Sequence, residues 1–348
     1  MVVLNRYKNI NSASSYRDPL EDLIVSSEFL LSPEYLSDLL VSKHGVTAAD
    51  ARKRAVRIAA HVRLALAFLR QAFAGPPDAA FLPTYYALLN LAKVYILSST
   101  KHQQLSQNRW HGASYDVFKK ASHSLRTEVI TLHQHGAISL FYEAITGLTI
   151  PKKLTIRIGD LYPYIQDVGS EWILAAGAQH VVRGATFWVI TEQPSKEKRF
   201  RALVGHRAGL RQLTVRNVPA LIDVRHSATN AQEFVSKKSY PQTTADDEIL
   251  GAHVRTQLLY YNLSPKQSLV PTCPTGLLMF EELPILLVFF HLSSVVRYNP
   301  EFLARLRESR YWPVISSLRY HGVTEFMILF WSYMQQEQIV FTTPSAGA

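Results

Sequence analysis

The sequence predicts a mostly helical α+β fold in which helices are followed by strands and then by helices again. Three observations lead to this prediction. Apolar residues recur at helical spacing before Pro151, short β-branched and aromatic runs separated by turns follow it, and helical spacing returns from Pro284. This order favours a central antiparallel β meander over alternating βαβ units. The C-terminal helical segment is expected to pack back on the N-terminal bundle.

Shifts in composition divide the 348 residues into five predicted regions. They are an N-terminal helical extension (1–46), a helical region (47–150), a β-rich region (151–275) with a mobile loop near 227–247, C-terminal helices (276–340) and a disordered tail (341–348).

The first two long helices have clear start and stop signals. Ser32 precedes a proline and a glutamate, as a helix N-cap does, and Gly45 is typical of a helix end. The next helix is predicted from Thr47 to Phe73, where Thr47 and Asp50 form a capping-box-like start. Its apolar residues share one face, and arginines line both edges of that face. This helix is therefore predicted to be amphipathic with two basic edges.

After the break at 74–78, the stretch FLPTYYALLNLAKVYIL (81–97) predicts a helix of almost unbroken apolar character. On a helical wheel, Tyr86, Asn90, Lys93 and Leu97 share an arc of about 60°. One interpretation is a water-facing seam along which Lys93 reaches solvent. The other is a pocket formed by six polar residues: Tyr86, Asn90, Lys93, His111, Arg297 and Tyr298.

Further elements follow from the same signals. Helices are predicted at 115–125, 137–145, from Pro284, from a cap at Asn299, and at 324–336, and strands at 180–226 and 255–263. His133 and His135 would share a face only on a strand. The segment TLHQHG (131–136) is instead typical of a helix end or turn, and no metal site is predicted there.

Composition bounds the environment of the protein. An apolar fraction of 47% with 18% charged residues is that of a globular chain. The single cysteine excludes an intramolecular disulfide and fits a reducing compartment. No signal peptide is visible at the N-terminus. The most apolar run, 276–296, is interrupted by Glu281, Glu282 and Pro284, which favours a buried helix over a membrane span. We therefore expect a cytoplasmic protein that does not associate with a membrane.

Familiar catalytic signatures are not found. The chain has no phosphate-binding loop, dinucleotide fingerprint, zinc-protease motif or serine nucleophile elbow. One cysteine also excludes cysteine-rich zinc sites. We predict neither a cofactor nor a metal.

The net charge of +10 predicts an acidic partner. The residues expected to contact nucleic-acid phosphates are Arg52, Lys53, Arg63, Lys198, Arg199, Arg201, Arg207 and Arg211. An acidic protein partner and an unspecialised basic surface are the alternatives.

Two separated motifs resemble those of the YaaC-like protein family. Pro83 precedes a tyrosine pair and an L-A-K triplet (85–93), and a histidine–glycine pair follows at 111–112. Near the C-terminus, FFHLSSVVRYNPE (289–301) is similar to the family's helix ending in R-Y-x-P-E. The resemblance covers about residues 50–335 and implies a prokaryotic, cytosolic protein. It implies no catalytic residues.

The helical part is also similar to HEPN-type bundles, many of which serve in antiviral or toxin modules. The function predicted is a non-catalytic binding component of a prokaryotic assembly, of the kind found in antiviral defence, that contacts nucleic acid or an acidic protein. The alternative is a metal-independent HEPN-like RNase. An arginine would stabilise phosphorane charge and a histidine a few residues later on the helix would move a proton, with Arg54 or Arg57 and His61 as the candidates.

Overall fold

The protein is described by a computed structural model. It covers residues 9–13, 18–106, 110–116, 124–177, 182–205, 221, 223–228, 230, 232–254, 259–264, 267–271 and 277–342. The chain divides into two compact units. The described residues of the sheet unit lie within Gln179–Glu281, and those of the helical unit lie within Tyr7–Ala178 and Glu282–Ala348.

Among the described residues, helices make up most of the helical unit, and the sheet unit holds six strands and one α-helix. The α-helices, in chain order, are α1 Pro19–Ser26, α2 Pro33–His44, α3 Ala48–Ala74, α4 Phe81–Ser98, α5 Ala137–Thr146, α6 Gln166–Ala176, α7 Asp246–His253, α8 Glu282–Tyr298, α9 Pro300–Arg307, α10 Trp312–Ser317 and α11 Val323–Gln335. The strands are β1 Asn9–Ala13, β2 Ala113–Tyr115, β3 Val129–His133, β4 Lys153–Arg157, β5 Val182–Thr191, β6 Lys198–Val204, β7 Val224–His226, β8 Glu233–Ser236, β9 Leu259–Ser264, β10 Gln267–Pro271 and β11 Gln338–Thr342.

The strands of the described residues form three sheets. The sheet unit holds an antiparallel sheet of six strands in the order β7-β8-β6-β5-β10-β9. In the helical unit, β2, β3 and β4 form a small antiparallel sheet, and β1 pairs with β11 in parallel. The α+β class is therefore confirmed, whereas the HEPN-like arrangement of the helices stays a prediction.

The two predicted N-terminal helices are confirmed as α2 and α3. The Ser32 hydroxyl caps α2 by accepting from the Tyr35 amide at 3.3 Å, and Gly45 ends α2 in the left-handed conformation. Thr47 is the N-cap of α3, but its side chain makes no capping hydrogen bond, so the predicted capping box is wrong in this detail. The apolar face of α3 is buried as predicted: Ala51, Ala55, Ile58, Ala59, Val62, Ala65, Leu66 and Leu69.

Helix α4 lies at the centre of the helical unit. It packs against α3, α5, α8 and α11, and almost all of its residues are buried. The C-terminal helices thus return to the N-terminal ones, as the sequence predicts. The segment Pro77–Ser98 is long and apolar enough to cross a membrane, but 78% of its most apolar window is buried. That degree of burial is typical of a core helix in a globular protein.

Other predicted helices also form close to their predicted positions. Helix α5 begins at Ala137, α8 covers the apolar run after Glu282, and α11 ends at Gln335. Asn299 caps α9 by accepting from the Phe302 amide at 3.1 Å.

Three local predictions are corrected. Tyr115 ends β2 and residues 125–127 form a turn, so the helix predicted at 115–125 is wrong at both ends; residues 117–123 lie outside the described residues. His133 ends β3 and is not at a helix end. The loop predicted near 227–247 contains β8 and the beginning of α7. At Tyr115, His133 and Glu233–Ser236, strand pairing overrides the local sequence signal.

The secondary structure at the two ends of the chain was predicted only in part. The N-terminal extension contains β1 as well as α1 and α2, and its partner β11 reaches Thr342, inside the segment predicted as a disordered tail. Residues 343–348 of that tail lie outside the described residues, as do 206–220 of the predicted strand region.

Candidate functional site

Two cavities lie side by side in the helical unit. The first has a volume of about 330 Å³ and is lined by Arg57, His61, Leu89, Lys93, Leu105, Ser106, Trp110, His111 and Ala137. The second has a volume of about 580 Å³ and is lined by Trp110, His111, Gly112, Ala113, Ser114, Tyr115, His133, His135, Phe290, Ser294, Arg297 and Tyr298. Trp110 and His111 belong to both linings. We call the pair the double cavity, and both volumes lie in the range of small-ligand sites.

One residue of the polar edge of α4, Lys93, lines this double cavity. Only Leu82, Tyr86 and Lys93 of α4 are half-buried, and their spacing places them on one stripe of the helix. Lys93 lines the first cavity together with His111. The structure thus brings these two members of the predicted pocket together, and Lys93 does not simply reach open solvent.

Asn90 holds a histidine of the neighbouring helix. Its side-chain amide donates to the Tyr86 carbonyl oxygen at 2.7 Å, which turns its Oδ1 towards His61 Nδ1 at 2.8 Å. Because Oδ1 can only accept, His61 carries its proton on Nδ1 and leaves Nε2 unprotonated in the neutral ring. Asn90 is 6% exposed and lines neither cavity itself, so its role is to orient His61.

A tyrosine orients the second histidine through a bond of the opposite direction. The hydroxyl of the buried Tyr85 lies 2.5 Å from His111 Nδ1, and the two rings are in contact. Burial raises the pKa of Tyr85, so its hydroxyl stays protonated and can donate to Nδ1. Tyr86 packs between Phe68 and the ring of His111, with centroids 5.6 and 6.4 Å apart. The tyrosine pair of α4 therefore supports the wall on which His111 lies.

Two glycines fix the backbone between the cavities. A Cβ atom on Gly136 would lie 2.5 Å from the Gly112 nitrogen, and both glycines have positive φ angles, of 122° and 87°. This close approach lets the carbonyls of Trp110 and His111 accept from the Ala137 and Ile138 amides, each at 2.9 Å. Those amides are at the first turn of α5 and would otherwise have no helical partner. The segment carrying Trp110 and His111 is thus tied to a helix end.

The C-terminal part of α8 forms the far wall of the second cavity. Arg297 donates to the Ser293 carbonyl at 3.2 Å and lies 5.0 Å from the centre of the Tyr298 ring. Tyr298 itself is 60% exposed. These two members of the predicted pocket therefore line the second cavity, whereas Lys93 lines the first.

The double cavity is positively charged. Its described lining contains arginine, lysine and histidine but no carboxylate. Burial lowers the pKa of Lys93. Burial also lowers the pKa of His61, and repulsion from Lys93 and Arg57 adds to this effect, which the Asn90 bond opposes. The pKa of His111 is lowered by burial and by Lys93 and Arg297. A bound anion would relieve the repulsion among these groups.

The predicted basic residues of α3 divide into two kinds. Arg54 is buried and donates to Asp50 and to the carbonyls of Leu97 and Ser99, the latter at 3.2 and 2.8 Å. It therefore stabilises the end of α4 and does not line the cavities. Arg57 does line the first cavity. Arg57 is exposed on the helix, and so are the remaining basic residues predicted there: Arg52, Lys53 and Arg63.

Three of the basic residues predicted on the sheet, Lys198, Arg199 and Arg201, are paired with acids. Lys198 contacts Asp246 at 2.8 Å, Arg199 contacts Glu192 at 2.7 Å, and Arg201 contacts Glu233 at 2.8 Å. Each local carboxylate reduces the charge available for phosphate. Arg207 and Arg211 lie outside the described residues.

Sequence reasoning did not include Trp110 or Tyr85 among the site residues. Trp110 is 79% exposed on the wall shared by the two cavities. Its position next to the histidine–glycine pair, in the motif WHG (110–112), was the feature of the sequence that could have indicated it. Ser114 and His133 were also outside the predicted pocket, and they meet because β2 and β3 pair, with Ser114 Oγ 2.9 Å from His133 Nε2. No group of three or more potential metal ligands is found among the described residues.

The fold and the site together define an α+β protein whose helical unit carries a cationic double cavity. The chain belongs to the YaaC-like protein family, whose model matches residues 28–334. The resemblance seen in the sequence is therefore confirmed. No curated protein and no solved structure matches the chain significantly.

Proposed function

We propose that the protein is a cytoplasmic, nucleic-acid-binding component of a larger prokaryotic assembly, and that the double cavity receives the phosphates. The observation that carries this proposal is the described lining of cations without a carboxylate. Arginine and lysine are the residues that contact phosphate oxygens in proteins. Lys53 is one helical turn from Arg57 on α3, so an exposed basic row extends the charge beyond the first cavity.

Nucleic acid is favoured over an acidic protein partner because one of the cations of the first cavity, Lys93, is recessed. Lys93 is half-buried within a concave surface, next to the half-buried His61 and His111. A phosphate on a flexible backbone can enter such a cavity. Carboxylates of a folded partner are mostly presented on a convex surface, where the exposed arginines of α3 would be the contacts.

Binding of a labelled oligonucleotide at several salt concentrations tests the proposal. The logarithm of the affinity should fall linearly with the logarithm of the salt concentration. Arg57→Gln and Lys93→Gln should each weaken binding and reduce the slope by about 1. Arg70→Gln is the matched control, because Arg70 is exposed on the same helix, pairs with Glu28 and lines neither cavity. Affinity that does not depend on salt would contradict the proposal.

A second candidate function is a metal-independent, HEPN-like RNase. The bond from His61 to Asn90 favours it, because it leaves Nε2 of a neutral histidine able to accept a proton from a ribose 2′-hydroxyl. Arg57 is the arginine available in the same cavity, since Arg54 is bonded to Asp50 and to backbone carbonyls.

Incubation of the purified protein with labelled RNA in EDTA tests this second function. Cleavage should occur in the wild type, disappear in His61→Ala and fall in Asn90→Ala, which leaves the ring in place but no longer oriented. Intact RNA in the wild type, or cleavage that survives His61→Ala, would exclude it.

A further inference from the structure

The wall between the two cavities carries an aromatic residue whose position is unusual for its type. Trp110 is 79% exposed, although a tryptophan is normally among the most buried residues of a globular protein. The backbone of Trp110 is held in place, because its carbonyl accepts from the Ala137 amide at 2.9 Å. An exposed indole on a fixed backbone has the properties of a binding platform.

The surroundings of Trp110 are cationic on both sides. Arg57 and Lys93 line the first cavity, and Arg297 lines the second. Tyr298, 60% exposed on the second cavity, adds another aromatic face. Charges that flank an exposed aromatic ring match a ligand in which anionic groups alternate with flat, apolar ones. A single strand of nucleic acid has this alternation of phosphates and bases.

We propose that the double cavity selects single-stranded over double-stranded nucleic acid, with one unpaired base stacked on Trp110 and the neighbouring phosphates held in the two cavities. This inference rests on the proposed nucleic-acid binding and adds the form of the ligand. A base stacks on a protein side chain only when its face is uncovered, and in a duplex both faces are covered by neighbouring pairs. The volumes of the two cavities, about 330 and 580 Å³, lie in the range of sites for small ligands.

The experiment compares four labelled ligands: single-stranded RNA and DNA of about 10 nucleotides, a duplex of the same sequence, and a free mononucleotide. The wild type should bind the single strands at least about tenfold more tightly than the duplex or the mononucleotide. The ratio of the affinities for RNA and DNA shows which of the two nucleic acids is preferred. Equal affinity for the duplex overturns the inference, and so does equal affinity for the mononucleotide.

Variants of Trp110 separate stacking from charge. Trp110→Ala should weaken single-strand binding about 5- to 100-fold, and Trp110→Phe should retain most of the affinity. The dependence of affinity on salt should keep its slope in both variants, because no cation is removed. Phe29→Ala is the control, since Phe29 is 67% exposed and lines neither cavity.

The outcomes distinguish this inference from the function beneath it. If no ligand binds with a dependence on salt, nucleic-acid binding itself is wrong. If binding depends on salt but Trp110→Ala binds as the wild type does, only the stacking platform is wrong. Because the side chain of Trp110 is exposed, its replacement should leave the fold intact, which circular dichroism of each variant checks.

Discussion

The cations of the double cavity and those of the six-stranded sheet come from one basic sequence but have different surroundings. On the sheet, Lys198, Arg199 and Arg201 each contact a carboxylate within 2.8 Å. In the double cavity, Lys93 lies among histidines and arginines, and the described lining has no carboxylate. A net charge of +10 counts both groups alike. Only the local arrangement shows which cations remain available for a ligand.

The same difference occurs within one helix. Arg54 and Arg57 are three residues apart on α3, yet Arg54 is bonded to Asp50 and to the end of α4, and Arg57 lines the first cavity. The Arg54 guanidinium also lowers the pKa of Asp50, as expected for a paired carboxylate. Spacing on a helix shows which side a residue faces, but not whether a partner meets it there.

The largest expected effect comes from removing the backbone frame of the double cavity. Gly136→Ala should lower the free energy of unfolding by at least about 3 kcal/mol, because the new Cβ would overlap Gly112 and the residue has φ 122°. Gly147→Ala is the matched control, with φ 69° but no atom within 4 Å of the new Cβ. It should cost about 1 kcal/mol. Chemical denaturation measures both, and equal costs would contradict the close approach of the two glycines.

The next largest effects come from Arg54, whose replacement should lower stability, and from Arg57, whose replacement should weaken binding. Arg54→Ala should cost about 3 kcal/mol of stability, because two carbonyls at the end of α4 lose their donor and Asp50 loses its partner. Arg57→Ala should change stability by less than about 0.5 kcal/mol and should weaken nucleic-acid binding instead. Denaturation and binding assays on the same two proteins check this. A loss of stability in Arg57→Ala similar to that in Arg54→Ala would remove the distinction.

The sheet itself provides a smaller effect. Arg199→Gln should leave the affinity for nucleic acid within about twofold of the wild type, because Glu192 already neutralises that charge. Glu192→Gln should strengthen binding slightly if the released Arg199 reaches a phosphate. Both variants are tested by measuring the slope of the logarithm of the affinity against the logarithm of the salt concentration. A slope reduced by about 1 in Arg199→Gln would show that the sheet cations do contact phosphate.

Much of the fold could be predicted from the sequence because the helices carry their own signals. The caps at Ser32 and Asn299 and the apolar face of α3 are local features, and all three are found in the structure. The strands β1 and β11 could not be predicted in the same way. They pair across more than 300 residues, and nothing in either segment alone indicates a partner.

The site was predictable in its parts but not in its assembly. The narrow polar arc of α4 pointed to Lys93 and Asn90, and the spacing on α3 pointed to His61. Their meeting depends on the packing of α3 against α4, which the sequence does not encode locally. Trp110 was missed because an exposed tryptophan and a buried one look the same in a sequence.

The smallest expected effect concerns pH, and it has opposite signs for stability and for binding. The pKa values of His61 and His111 are lowered from 6.5 in the folded protein. As the pH falls below 6.5, these histidines bind protons in the unfolded chain before they do so in the folded protein. The free energy of unfolding therefore decreases until the pH is below the folded pKa values. A bound anion favours the protonated rings, so affinity should rise over the same fall in pH.

Replacing both His61 and His111 by glutamine should make stability and affinity depend less on pH than they do in the wild type. His44, whose pKa is also lowered by burial, should keep part of the pH dependence of stability. Affinity that falls together with stability as the pH is lowered would show that the cations of the double cavity do not meet an anion. The comparison with the paired cations of the sheet would then lose its functional meaning.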